Sequence, residues 1–201
     1  MTNPVEQKIT LEQLSDIDSA QCLLETLYSD IREIVLPIDV DFIAKSIEKV
    51  KLFDDLDFEH LDKAGFIKVN RNSNDDVNFI SIWVNPLEVD VRQRFTKAHE
   101  IGHLIYDIAP ELSNPKVDDS FIDVLHRKEG VSSFRETRAN RFSAQLLMPA
   151  ILVKREIDAL ITEVRKADGK ITKENVVLRL SSIFNTSTEA MRYRLNSLRI
   201  L

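Results

Sequence analysis

The feature that most constrains this chain is the run HEIGH at positions 99–103, which is an H-E-x-x-H pattern. Side chains four residues apart on an α-helix project from the same face, so His99 and His103 would point in one direction. Two imidazoles at this spacing can bind one zinc ion, and Glu100 can accept a proton from water that the metal activates. The pattern predicts metal-assisted hydrolysis, provided that these residues form a helix and that a third ligand exists.

Apolar residues around this pattern recur with a helical period. Val91, Phe95, Ala98, Gly102 and Ile105 form one stripe, which favours an amphipathic helix. Gly102 lies on that stripe although glycine in a helix interior costs about 1 kcal/mol relative to alanine. We therefore expect another helix or backbone segment to pass close to Gly102.

Composition places the chain among ordinary globular proteins and excludes several classes. With 201 residues, 43% of them hydrophobic, it can bury a sizeable core. Its net charge of -6 argues against general binding to nucleic acid, and no apolar run is long enough to cross a membrane. The single Cys22 cannot form an internal disulfide and the first residues lack a signal-peptide pattern, which together predict a cytoplasmic location.

The predicted elements fall into three parts. Residues 1–36 are predicted to form an N-terminal helical segment with an amphipathic helix over 11–28. Residues 37–150 hold the main domain, whose first helix begins after Asp39 and extends to about residue 51. Residues 151–201 are predicted as a C-terminal helical segment packed on that domain.

The last two predicted helices, 173–184 and 188–198, are joined by a short turn that invites comparison with a DNA-binding helix-turn-helix. Arg192, Arg194 and Arg199 add local positive charge. However, the apolar faces of both helices favour packing on the domain, and the acidic chain has no basic run. We therefore do not expect direct DNA binding.

Two strand-like runs precede the H-E-x-x-H helix. Residues 65–70 and 78–85 are separated by an Asn/Asp-rich turn and predict a β-hairpin, so we expect an α+β fold with a small antiparallel sheet. The second run leads directly into the helix and could offer an edge to which an extended peptide adds. The alternative for Trp83 in this run is an ordinary core position.

A catalytic zinc site usually has three protein ligands, so one more is needed. The longer pattern that adds a third histidine shortly after the second is absent from this chain. Glu136, on a second predicted helix, is a candidate ligand of the His₂Glu type. The same residue also completes a capping box with Ser133, and spacing alone does not decide between these roles. Asp123 and His126 are further candidates in the segment between the two helices.

Several motifs together resemble the ImmA/IrrE family of zinc metallopeptidases. They are RFTKAHEIGHLIYD at 94–107, E-x-x-A-N at 136–140 and FSAQLLMP at 142–149, and the resemblance extends from about Asp39 to RLNSL at 194–198. It implies a zincin-like metallopeptidase core that holds one Zn²⁺ per chain. The implied zinc ligands are His99, His103 and Glu136, and the implied general base is Glu100.

The resemblance also implies a function. Members of the family characteristically cleave, or otherwise inactivate, a helix-turn-helix repressor encoded beside them, and so release stress-response, mobile-element or toxin–antitoxin genes. We therefore expect an endopeptidase of narrow specificity that cuts a transcriptional repressor or antitoxin. The alternative is a binding module that sequesters such a partner without cutting it. Arg138 stands where the family often has glutamate, which would change the charge near the substrate cleft.

The sequence leaves alternatives open for the residues that would support the metal ligands. Asn140 is equally a partner of a ligand or a structural asparagine, and Asp107 is predicted as a solvated residue at a helix end rather than a partner of His103. Amide hydrolysis also needs a donor to the developing oxyanion. The sequence does not select among its candidates, which are Tyr106, His126, Tyr193 and Arg194.

Overall fold

The structure, a computed structural model, describes residues 8–112 and 131–201, and the side chains of the second range from residue 134 onward. The described part contains seven α-helices and three strands. They are α1 (Ala20–Leu27), α2 (Val40–Lys45), β1 (Val50–Phe53), β2 (Gly65–Arg71), β3 (Val77–Val84), α3 (Asp90–His103), α4 (Val131–Leu147), α5 (Ala150–Lys166), α6 (Lys173–Phe184) and α7 (Thr188–Ser197). None of the helices described is long and apolar enough to span a membrane.

The three strands form one sheet in the order β1-β3-β2. β2 and β3 pair antiparallel, which confirms the predicted hairpin and, with the helices, the α+β class. β1 pairs parallel to β3, so the sheet is mixed rather than purely antiparallel. The prediction missed β1 because it extended the preceding helix to about residue 51. That helix ends at Lys45, and Lys49 adopts the left-handed conformation with φ of 63°, which turns the chain into β1.

The N-terminal helix is also shorter than predicted. A 3₁₀ turn over Gln13–Asp16 is followed by α1, so the single helix expected over 11–28 is wrong. Ser19 explains the break, because its hydroxyl accepts a hydrogen bond from the backbone N–H of Cys22 and caps a new helix. Asp39 caps α2 in the same way through the N–H of Phe42, as the sequence indicated. The last two helices form within one residue of their predicted bounds, 173–184 and 188–198.

One hydrophobic core joins all of these elements. It takes buried side chains from the N-terminal helices, the sheet, α3, α4 and the C-terminal helices, including Leu24, Ile43, Ile82, Phe142 and Leu180. Ile80, Ile82 and Trp83 of the central strand β3 are buried, so apolar side chains from both of its faces lie in the interior. The division of the chain at residues 36 and 150 stays a prediction.

α3 and α4 approach each other closely at Gly102. A Cβ built on Gly102 would lie 3.3 Å from the Cα of Ala139 and 3.2 Å from Cδ1 of Phe142. The expected close approach is therefore confirmed, and its partner is the second helix of the site. The absence of a side chain at Gly102 lets α4 lie directly against the face of α3 that bears the two histidines.

We predict a graded response when side chains of increasing size replace Gly102. Gly102→Ala gains helix propensity but meets Ala139, so its free energy of unfolding should stay within about 1 kcal/mol of the wild-type value. Gly102→Leu should lower that free energy by about 1–3 kcal/mol, because overpacking forces the helices apart. Urea denaturation followed by circular dichroism measures both changes. A Leu variant as stable as the wild type would show that this contact does not hold the helices at their distance.

Candidate metal centre

The structure brings three of the predicted site residues to one point. The Nε2 atoms of His99 and His103 on α3 lie 2.9 Å apart. From α4, Glu136 places Oε2 at 3.2 Å from Nε2 of His99 and Oε1 at 3.2 Å from Nε2 of His103. These contacts show that the Glu136 carboxylate faces the histidines. The capping alternative involves Ser133, whose side chain lies outside the described residues.

The other ring nitrogen of each histidine faces an oxygen acceptor. Nδ1 of His99 lies 3.0 Å from Oδ1 of Asn140, and Nδ1 of His103 lies 2.8 Å from Oδ2 of Asp107. With Nδ1 donating to these acceptors, Nε2 of each ring faces Glu136 and is the atom that can bind a metal ion once it gives up its proton. Such partners fix the orientation and the tautomer of an imidazole.

Asp107 is buried, which contradicts the prediction that it is solvated at a helix end. Its side chain is only 1% exposed. A π-helical turn over Leu104–Ile108 continues α3 without a break, so Asp107 stays on the face of His103. Arg138 and Arg135 of α4 contact the same carboxylate. Arg138 therefore pairs with Asp107 behind the site, and its side chain is not among those that line the cleft.

The converging atoms fit a metal ion. One ligand atom from each of His99, His103 and Glu136 lies within 4.8 Å of the other two. A tetrahedral zinc ion with bonds of about 2.0–2.1 Å separates its ligand atoms by about 3.3 Å, close to the contacts described above. Two imidazole nitrogens and one carboxylate oxygen are also ligands that zinc accepts.

The electrostatics favour positive charge at this point. Burial alone would lower the pKa of His103, but hydrogen bonds to Asp107 and Glu136 outweigh it and raise that pKa to about 9. Hydrogen bonds from His103 and His99 hold the pKa of Glu136 well below its usual range. The carboxylates that favour protonation of His103 would attract a metal cation at this place in the same way.

Glu100 lies beside these residues in a cleft of about 540 Å³. Burial raises the pKa of its carboxyl group above the usual range, and the negative charge of Glu136 adds to this effect. In residues 8–112 and 134–201, no side chain donates a hydrogen bond to its carboxylate. The Glu100 carboxylate therefore stands in the cleft without a structural partner there.

One wall of this cleft is the start of β2. A Cβ built on Gly65 would lie 2.5 Å from Cγ2 of Thr96 and 2.7 Å from the carbonyl oxygen of Trp83, so glycine is needed for β2 to approach α3. Among the strands described, none pairs with the outer side of β2. The edge beside the site is thus β2, and the prediction that β3 offers it is wrong. Trp83 of β3 is a core residue with 4% exposure.

The described oxyanion candidates face away from the cleft. The hydroxyl of Tyr106 donates to the carbonyl of Asp18, and Nε of Arg194 donates to the carbonyl of Met148. Arg194 and Tyr193 line a different cavity of about 1290 Å³ between α1, α4 and α7. That cavity is larger than the cleft, but it contains none of the converging side chains.

Two further predicted candidates, Asp123 and His126, lie outside the described residues. Sequence reasoning had missed Phe66, Phe95 and Arg92, which line the cleft. The only signal for Phe95 was its place on the apolar stripe of α3, one turn before His99. Phe66 gave no signal, since its place in the cleft depends on the packing of β2 against α3.

The chain matches a known protein family. Residues 56–196 match the model described as the IrrE N-terminal-like domain, which is a peptidase family. The matched region covers most of the chain and includes β2, β3, α3 and α4, so it contains all the residues of the candidate metal centre. A comparison with curated proteins found no match.

We predict that Asp107 tunes the affinity of this centre for zinc. Asp107→Ala removes the acceptor that orients His103 and should weaken zinc binding about 10- to 100-fold. Asp107→Asn keeps an oxygen acceptor and should weaken zinc binding less than Asp107→Ala does. Competition with a chromogenic chelator measures both affinities, and Asp158→Ala, an exposed position on α5, is the control. Unchanged affinity in Asp107→Ala would show that the buried carboxylate does not support the site.

Proposed function

Because the chain belongs to the ImmA/IrrE family of peptidases, we propose that it is a zinc-dependent endopeptidase that cleaves a helix-turn-helix transcriptional repressor or antitoxin. The observation that carries this proposal is the convergence of His99, His103 and Glu136 in a cleft that also holds Glu100. A binding protein has no chemical need for the Glu100 carboxylate in this cleft, beside two histidines and a glutamate.

We assign the metal ligands to the three converging side chains. His99 and His103 would bind one Zn²⁺ through Nε2, and Glu136 would bind it through its carboxylate. Zinc held there would polarise a substrate carbonyl and lower the pKa of water to about 7. Asn140 and Asp107 hold the two imidazoles in the orientation and tautomer that this binding requires.

Glu100 is assigned the role of general base. Its raised pKa brings it closer to neutrality, where a carboxylate can both accept a proton and return it. It would take a proton from the attacking water and deliver that proton to the amine that leaves when the peptide bond breaks. Glu100 lines the same cleft as His99, His103 and Glu136, so its carboxylate can reach water held between them.

β2 offers a way to align the substrate. The outer backbone N–H and C=O groups of an edge strand can pair with an extended polypeptide, which becomes an additional strand. Gly65 and Phe66 of β2 line the same cleft as the metal centre, so a peptide on this edge would pass the site. A folded segment could not pair in this way, which favours cleavage at an exposed, extended stretch of the substrate.

The choice of a repressor or antitoxin as the substrate rests on the family resemblance. The cleft itself is bounded by β2 on one side and by Glu136 and Asn140 of α4 on the other. We place the activity in the cytoplasm, where such regulators bind DNA. Members of this substrate class would link cleavage to transcription regulation, in a stress response or a toxin–antitoxin system.

We predict one zinc ion per chain in the purified protein. Elemental mass spectrometry should find near-equal molar amounts of zinc and protein in the wild type, and little zinc in His99→Ala or Glu136→Ala. His60→Ala is the matched control, because His60 pairs with Asp57 rather than with the centre. If the wild type neither carries zinc nor takes it up when it is offered, the peptidase proposal fails.

We predict that Glu100→Gln separates binding from cleavage. The amide cannot accept the proton, so the cleavage rate should fall by about 10²- to 10⁴-fold while zinc content stays unchanged. Co-expression with a repressor-controlled reporter gives the second readout. If Glu100→Gln relieves repression as fully as the wild type does, the partner is sequestered and proteolysis is not the mechanism.

A further inference from the structure

The segment from Asp54 to Asp62, between β1 and β2, presents large apolar side chains to solvent. Leu56 is 47% exposed, Phe58 is 78% exposed and Leu61 is 37% exposed. Single exposed apolar residues are common, but several of them in nine residues mark a surface that another molecule can cover. We refer to residues 54–62 as the 54–62 segment.

Buried residues of β3 and its end hold the backbone of the 54–62 segment in place. The indole Nε1 of Trp83 donates to the carbonyl of Asp55 at 2.9 Å, and Nδ2 of Asn85 donates to the carbonyl of Leu61 at 3.1 Å. The ring of His60 lies 4.9 Å from the ring of Phe66 in the cleft wall. The apolar side chains therefore project from a fixed backbone that is attached to the sheet.

The charge of the 54–62 segment indicates what could cover it. Its sequence, DDLDFEHLD, has five acidic residues and no lysine or arginine. Asp57 pairs with His60 at 2.8 Å. The other four carboxylates form no ion pair with any residue that the structure describes; they are Asp54, Asp55, Glu59 and Asp62. A partner with positive charge and apolar side chains would complement this surface, and an acidic partner would be repelled.

The 54–62 segment is continuous with the cleft. Lys63 and Ala64, the residues that follow it, line the cleft together with Gly65 at the start of β2. A polypeptide that pairs with the outer edge of β2 and continues past Gly65 would therefore reach the 54–62 segment. The two surfaces can contact one substrate chain at the same time.

We infer that the 54–62 segment is a docking surface, outside the metal centre, for a basic stretch of the polypeptide substrate that also carries apolar side chains. This inference rests on the proposed peptidase function, since the partner is its substrate. Phe58 and its apolar neighbours contact the apolar side chains, and the four unpaired carboxylates select lysine and arginine. Binding at two places would restrict cleavage to substrates that carry both features.

Cleavage-site profiling tests this inference. The zinc-loaded protein is incubated with a library of peptides from a digested bacterial proteome, and the cut peptides are identified by mass spectrometry. Wild-type protein should cut peptides enriched in Lys or Arg and apolar residues on one side of the cut. The variants Phe58→Ser and Asp54→Asn/Glu59→Gln/Asp62→Asn should cut those peptides at least ten-fold more slowly.

The control alters an exposed acidic and apolar pair on another element. Leu178 on α6 is 55% exposed, and neither it nor Glu174 lines the cleft, so Leu178→Ser/Glu174→Gln makes the same kind of change there and should leave the rate unchanged. Because Phe58 is exposed, its replacement should leave the melting temperature unchanged. A cut-site profile without basic enrichment, or one that is identical in the 54–62 variants, overturns the inference.

A binding measurement separates this inference from the proposed function. Fluorescence anisotropy compares a labelled 18-residue Lys/Leu peptide with a Glu/Leu peptide of the same pattern, on Glu100→Gln protein. The Lys/Leu peptide should bind at least ten-fold more tightly than the Glu/Leu peptide. Its affinity should fall at high salt, and it should fall about ten-fold when the 54–62 changes are added. Equal binding in all cases contradicts the docking surface. If the zinc-loaded wild type cuts no peptide while this binding pattern holds, the peptidase proposal fails and the docking surface stands.

Discussion

The close approach of α3 and α4 at Gly102 is the constraint on which the rest of the site depends. Two of the converging side chains come from one helix and the third comes from the other, so their convergence requires a fixed distance between the helix axes. Gly102 allows Ala139 and Phe142 to pack directly against α3, and this contact is continuous with the hydrophobic core. The helix stability lost at Gly102 is offset by this packing, which also places Glu136 opposite the two histidines.

The charged groups behind the metal centre form a chain of partners. His103 donates to Asp107, and the carboxylate of Asp107 is in turn neutralised by Arg138 and Arg135 of α4. A buried carboxylate without such partners would be strongly destabilising. This network ties the second histidine to the helix that carries Glu136, so the orientation of the imidazole and the distance between the helices are set together.

Local patterns in the sequence predicted much of the fold and most of the site. The H-E-x-x-H helix, the hairpin and the C-terminal helices follow from apolar periods, turn residues and caps that lie within a few neighbouring residues. β1 was missed because four residues give little periodicity and its parallel partner lies about thirty residues away. The burial of Asp107 was missed because it depends on arginines from α4, and the edge role of β2 depends on where β1 pairs. On spacing alone Glu136 satisfied two roles equally, and only the placement of α4 brings its carboxylate to the histidines.

A crystal of the zinc-loaded protein, measured at the zinc absorption edge, tests the central claim most directly. We predict one anomalous peak per chain at about 2.0–2.2 Å from Nε2 of His99, Nε2 of His103 and a carboxylate oxygen of Glu136. The side chain of Glu100 should lie next to the peak without binding it. A peak held by other residues, or no peak in protein that contains zinc, would contradict the assignment of these three side chains as the metal centre.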